Sequence, residues 1–433
     1  MKITNFLEGD SAICESECGI INKSAPTALR TSNRHVAKKD HLAVIKEQKR
    51  KDRRVAVRKE RKQRDILLTT KEDVFANPPE EITLEILGRL TIRSVMTCKC
   101  VLKSWRHLME GDEFAMSYTP KPGLTFVHRD MEMGYTVRDE ALKPLFRFGL
   151  PSDHRLSGVH WCAQIASANG LLSVWDPPPN TIFICNPMTR EYVELPPLSK
   201  DKITSFFGFG VSRTSGQYKI LCIDSHSCYV YTLGRGAGLW RAIAPPPAPA
   251  LGIGQLYLGD AAFLNGNLHW LALDSEEDYF VCCFDLETEL FTRISVPCDY
   301  IAERYGNRWV CILEGRLCLY VVLDWYHVII WKMNNYGDDN SWIKEYSFDL
   351  LKKYLSMDVV EVLTNGDLLL AIAGSGTLDA SHDRLFYINP KNTGAVVTYG
   401  SKQRHSSNIG VYTPSLISLV TMGFHNVQPL NFY

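Results

Sequence analysis

No stretch of the 433 residues approaches 18 uncharged apolar positions in a row, which sets aside a helix spanning a bilayer and, with it, a membrane partner. Met1 to Ile20 carries Glu8, Asp10, Glu15 and Glu17 and has no apolar core, so no secretory leader is expected there. None of the thirteen cysteines stands in C-x-x-C spacing; the close groups are Cys14/Cys18, Cys98/Cys100 and Cys282/Cys283. That argues against a zinc or dithiol redox site. The cysteines read as reduced thiols packing as small hydrophobes, a state expected in the nucleus or cytoplasm. The twelve histidines form no H-E-x-x-H motif and no i, i+4 pair, so no metal site is expected and no cofactor is implied.

Catalytic motifs are equally scarce. His128-Arg129-Asp130 spells the start of a kinase catalytic loop, but Tyr135 stands where the metal-binding Asn belongs. Gly234 to Gly238 has three glycines in five residues, yet no helix follows to offer its N-terminus to a phosphate, so it reads as a hairpin loop. Gly374-Ser375-Gly376 lacks the strand–elbow–helix context of a hydrolase nucleophile. His269-Trp270 falls on a strand expected to lie inside the fold, where a structural role is the simpler reading. The run Pro245-Pro246-Pro247-Ala248-Pro249 reads as a loop. No set of residues asks for an enzyme.

The formal charge is zero because two unequal parts cancel. Residues 34–65 hold 14 Lys/Arg against 5 Asp/Glu, and the remainder is correspondingly acidic. The dense clusters are Lys49, Arg50, Lys51, Arg53 and Arg54, then Arg58, Lys59, Arg61, Lys62 and Arg64. Runs of this kind are candidates for nuclear import. Apolar residues in the arm are too sparse for a buried stripe, so residues 1–76 are expected to be a solvated, largely disordered basic arm. No aromatic residue is interleaved with the basic ones, which speaks against nucleic acid as a partner.

Near residue 77 the pattern changes. Pro78-Pro79 followed by Glu80-Glu81 suits a helix start, since proline fits the first turn and acids complement the positive end of the dipole. Ile82, Ile86, Leu87 and Leu90 then recur with helical spacing. Thr91 can cap a second helix bearing Ile92, Val95 and Met96, and a third, from Lys103 to Met109, carries Trp105 and Leu108. A three-helix unit under 40 residues is too small to bury all these side chains within itself. The surplus implies a partner surface, where each large buried side chain contributes about 1.5–3 kcal/mol before association costs.

Residues 79–90 (Pro-Glu-Glu-Ile-Thr-Leu-Glu-Ile-Leu-Gly-Arg-Leu), Ser94-Val95 and residues 101–108 (Val-Leu-Lys-Ser-Trp-Arg-His-Leu) resemble the F-box, here placed at 77–114. The sequence departs from the family pattern at Pro78 (usually Leu), Thr91 (usually Pro) and Leu102 (usually Cys). The resemblance implies a Skp-family adaptor, and through it a cullin, as partner. Pro79, Ile82, Ile86, Leu87, Leu90, Val95, Val101 and Trp105 are the candidate contact residues. Some of these must instead hold the helices together, and the sequence does not sort them.

Beyond residue 120 the chain repeats. Glycines preceding apolar strand-like runs occur at Gly123, Gly170, Gly216, Gly266, Gly315 and Gly366, roughly fifty residues apart. Second turns follow at Asn186-Pro187, Gly234, Asp285-Leu286, Met333-Asn334 and Asn389-Pro390. Paired strands at this period predict a mainly β fold, a propeller of six to seven blades. Gly410 to Leu419 is the expected closing strand. Asn186-Pro187-Met188-Thr189-Arg190, Tyr218-Lys219-Ile220-Leu221, Gly266-Asn267-Leu268-His269-Trp270-Leu271 and Ser341-Trp342 resemble the F-box-associated, kelch-like propeller of plant-type F-box proteins, over 120–425.

The combined resemblance implies a non-catalytic substrate receptor of an SCF-type ubiquitin ligase, gripping an unidentified target protein with the propeller, in the nucleus or cytoplasm. A ligase-independent interaction scaffold in the nucleus is the alternative.

Overall fold

The computed structural model describes residues 47–60, 79–118 and 125–432, the last apart from positions 275 and 277 and the loop stretches 131–133, 140–142, 152–163, 177–180, 199–205, 224–226, 235–237, 246–260, 298–305, 351–353, 376–383, 391–395 and 399–404. Its contacts divide the chain into Met1–Pro78 and Pro79–Tyr433.

In the first unit residues 47–60 form an α-helix whose every position is exposed. From the sequence a solvated, largely disordered arm is expected there. A stripe of buried residues is needed only when packing holds a helix. Lys, Arg, Glu, Gln and Ala favour helix intrinsically, and the Gln48 amide also donates to the Asp52 carboxylate at 3.2 Å. Arg61, Lys62 and Arg64 lie outside the described residues.

The second unit opens with α1 (Glu80–Gly88), α2 (Ile92–Cys98), α3 (Lys103–Glu110) and α4 (Asp112–Ser117). Glu80 and Glu81 occupy the first turn of α1, and the Thr91 hydroxyl accepts from the Ser94 amide at the head of α2. The fourth helix is an addition to the three expected.

Six antiparallel sheets follow, each ordered from an inner to an outer strand. Blade 2 runs Gln164–Ala168, Leu171–Asp176, Thr181–Asn186, Glu191–Glu194; blade 3, Phe206–Val211, Tyr218–Ile223, Cys228–Thr232, Arg241–Ile243. Blade 4 comprises Ala262–Leu264, Asn267–Leu273, Tyr279–Asp285 and Phe291–Ser295, and blade 5 Gly306–Leu313, Arg316–Leu323, His327–Met333 and Trp342–Asp349. Blade 6 consists of Tyr354–Val362, Leu368–Ser375, Arg384–Ile388 and Val396–Thr398. Blade 1 joins the two ends of the domain: His405–Tyr412 is its inner strand, beside Thr125–Asp130, Gly134–Arg138 and Pro144–Gly149. The inner strands adjoin in succession and the last meets the first, so the ring of six blades is closed. Closure removes the open edges that an isolated sheet would expose.

The fifty-residue glycine period has a geometric cause. Gly170, Gly216, Gly266, Gly315 and Gly366 all lie between the first and second strands of their blades, with φ between +66° and +88°. Reversing direction within a few residues there calls for left-handed backbone, which glycine adopts without a Cβ clash. Gly123 lies outside the described residues. Middle strands such as Tyr218–Ile223 are buried along their whole length, because both faces of a blade pack against neighbouring blades.

The closing strand ends at Tyr412, earlier than expected. Residues 413–432 then leave the inner strand and add Gln428–Pro429 as a fifth strand to blade 2 and Asn431–Phe432 to blade 1.

Candidate functional site

The helical module separates the candidate contact residues into two sets. Leu87 and Val95 are buried to within 1% of full enclosure, and with Ile92, Met109, Phe114 and Tyr118 they share one apolar cluster with Val127, Tyr135 and Phe148 of blade 1. Leu90 and Trp105 are half-buried against that cluster. The Tyr118 hydroxyl donates to the Leu90 carbonyl at 3.1 Å, tying the end of α4 to the turn after α1.

Pro79, Ile82, Ile86 and Val101 face outward instead. Ile82, Ile86 and Val101 are 50%, 53% and 60% exposed, and Leu102, next to Val101, is 39% exposed. Ile82 and Ile86, four residues apart, lie on one face of α1. The inward face of that helix is carried by Thr83 and Leu87, with Leu84 alongside. Hydropathy alone merged these two stripes, because both are rich in Ile and Leu.

Within the propeller, polar side chains stitch neighbouring blades together. Glu287, in the last turn of blade 4, accepts from the Ser215 amide at 2.9 Å and the Ser215 hydroxyl at 3.0 Å in blade 3. Nearby Lys219, nearly buried, donates to the Leu286 carbonyl and pairs with Glu289 at 3.0 Å. Arg241 holds the same carboxylate. Burial alone would raise the Glu289 pKa, but the two cations outweigh it and the net direction is down. His269, on the second strand of blade 4 rather than an inner strand, is fully buried. Its Nε2 meets the Tyr336 hydroxyl of blade 5 at 2.8 Å, and burial lowers its pKa to about 4.

Two tryptophans from the repeat play equivalent parts. The Trp240 indole donates to the Pro196 carbonyl at 2.8 Å, and the Trp342 indole to the Ser295 carbonyl at 2.9 Å. Each joins the head of one outer strand to the foot of the preceding blade's outer strand.

Two further features escaped the sequence. A groove of about 470 Å³ lies between blades 2 and 3, lined by Val193, Leu195, Pro197, Tyr231 and Phe424 among others. On blade 5, Ser347 Oγ lies 3.4 Å from His327 Nε2, and His327 Nδ1 lies 2.5 Å from Asp349 Oδ1. That is the order of a hydrolase triad. It stands in the open, with the Asp349 side chain 66% exposed, whereas oxyanion stabilisation depends on oriented dipoles in a water-excluded site. We read it as a surface hydrogen-bond chain. Among the described residues no group of three or more His, Cys, Asp or Glu is placed to hold a metal ion.

A closed six-bladed ring preceded by a short helical module defines a β-propeller protein. The family model described as the F-box associated beta propeller domain matches residues 144–407, and the chain belongs to that family. Similar curated proteins are F-box protein At5g65850 of Arabidopsis thaliana, 28% identical over 55% of this chain and 63% of its own length, and putative F-box protein At1g53550 of the same plant, 23% identical over 74% of this chain and 84% of its own. A third, putative F-box protein At1g46840, is 26% identical over 56% of this chain. Two of these matches, At5g65850 and At1g46840, span less than two thirds of the relative's length, at 63% and 54%.

Proposed function

We propose that the chain is the substrate-recognition subunit of an SCF-type cullin–RING ubiquitin ligase, binding a Skp-family adaptor through α1–α3 and a target protein through the propeller. The observation that carries this reading is the outward apolar surface of Pro79, Ile82, Ile86, Val101 and Leu102 on a module whose interior is already filled by Leu87, Val95 and Met109. Burying each such side chain contributes about 1.5–3 kcal/mol, part of which offsets the entropy of association. In this reading the chain supplies proximity and orientation, and bond-making belongs to other subunits. Residence in the nucleus or cytoplasm, or both, belongs to the same proposal, with the basic segment from Lys49 to Arg64 as the import candidate.

The test is a binding titration of the full-length protein against a purified Skp-family adaptor, with Ile86→Glu alongside. Ile86 is exposed, so the variant should melt like wild type. An unpaired carboxylate buried at the interface costs several kcal/mol, so affinity should fall about a hundredfold or more. Leu87→Glu would be the wrong variant, because it breaks the module itself. A well-folded wild type that does not bind the adaptor overturns the ligase reading. The family departures at Pro78 and Thr91 would then favour a ligase-independent scaffold.

A further inference from the structure

We infer that the helix at 47–60 is a docking element for the phosphate backbone of duplex DNA. The helix holds seven Lys/Arg against three Asp/Glu, and every residue is exposed. Arg50, Arg54 and Arg58 follow one another at intervals of four and therefore form a row along one face. With a rise of 1.5 Å per residue the row spans about 12 Å. Like charges at i, i+4 disfavour a helix, and this row contains two such pairs, Arg50/Arg54 and Arg54/Arg58. A helix built only to be solvated would place acids at that spacing. A polyanion laid along the row turns the repulsion into binding and releases counterions as it does so.

The chemistry of the row narrows the ligand. Guanidinium groups present planar, paired donors that match phosphate oxygens. A helix, about 10–12 Å across with its side chains, fits the B-form major groove, about 12 Å wide, whereas the major groove of duplex RNA is too narrow to read. Single strands are captured by stacking on aromatic rings, and residues 47–60 contain none. An anionic membrane surface also attracts basic clusters, but firm attachment of a surface helix draws on an apolar face as well, which Val55, Ala56 and Val57 do not make. The sequence alone spoke against nucleic acid because it lacks those aromatics; the helical row changes the argument, since duplex backbone binding needs only periodic cations. This inference is independent of adaptor binding.

Fluorescence anisotropy of the full-length protein with a labelled 20-base-pair DNA duplex of arbitrary sequence, between 50 and 200 mM salt, tests it. Arg50→Glu/Arg54→Glu/Arg58→Glu should weaken binding at least tenfold and reduce the slope of log K against log salt by about 3, at roughly 0.9 per phosphate contact. Lys49→Glu/Arg53→Glu/Lys59→Glu makes the same charge change off the row and should cost much less. Both variants should keep the wild-type propeller melting transition, since every position they change is exposed. No binding by wild type at 50 mM salt overturns the inference, as do equal losses in the two variants. Equal affinity for a single strand of the same length, or capture by phosphatidylserine vesicles without duplex binding, overturns it too.

Discussion

The side-chain amide of Asn186 donates to the carbonyl of Ile417 at 2.7 Å, joining a turn of blade 2 to a segment 231 positions later in the chain. The same amide reaches the Ser415 carbonyl at 3.1 Å, and the Asn186 side-chain Oδ1 accepts from the Met188 backbone amide at 2.9 Å. A few residues on, the Glu191 carboxylate accepts from the Leu419 amide at 2.7 Å and the Ser418 hydroxyl at 2.8 Å. Gly170 completes the seat, since a Cβ there would fall 2.0 Å from the Ser415 side chain. The C-terminal segment is thereby fastened across blades 1 and 2, at the point where the ring closes.

Asn186→Ala should therefore destabilise the propeller by about 2–3 kcal/mol, because it strands buried carbonyls that the amide now satisfies. Urea titration followed by tryptophan fluorescence measures the loss. Limited proteolysis should cut first within 413–432 in the variant, and an unchanged cleavage order would refute the fastening role.

His269 carries a pH prediction. It is buried between Ala262 and Tyr336, with Cys283 against the same hydroxyl, and its pKa is lowered to about 4 from 6.5. Between those values the unfolded chain binds a proton that the folded chain does not, so stability falls as the pH drops from 6.5 to 4. The contribution reaches about 3 kcal/mol at the acid end of that window. Comparing melting of wild type and His269→Gln from pH 7 to pH 4 isolates it: the variant should lose less stability over the window.

Glu361 should behave in the opposite sense. Burial raises its pKa, and the amides of Glu314 and Val362, both donating at 2.9 Å, do not fully offset that. A carboxyl raised in this way favours the fold when protonated. Its contribution is full below the ordinary carboxylate pKa and is lost as the pH rises through the folded value. Glu361→Gln keeps an acceptor for the amides and should raise the melting temperature at pH 8, with the gain shrinking toward pH 4. A gain that does not vary with pH would point to packing instead of ionisation.

Much of the architecture was legible in the residues. The glycine period mapped directly onto the first turn of five blades, since a tight reversal restricts both its residue type and its spacing. Thr91 was legible as a cap for the same local reason. The helix at 47–60 was missed because exposed helices leave no amphipathic trace. The two faces of α1 were not separable because Ile82, Ile86, Leu87 and Leu90 are chemically alike and differ only in what lies opposite them.

By itself, then, the sequence determined whatever depends on a few neighbouring residues: the strand–turn rhythm, the helix starts, the split between basic arm and acidic body. Tertiary structure alone decided the rest. That six blades make a complete ring, with His405–Tyr412 beside Thr125–Asp130, follows from the angle between neighbouring sheets, which no local window encodes. That Asn186 holds Ile417, that His269 meets Tyr336, and that Leu87 is interior while Ile86 is not, all depend on residues far away in the chain. Such pairings form only once burial has brought distant segments together, and the same side chains in another packing would find other partners.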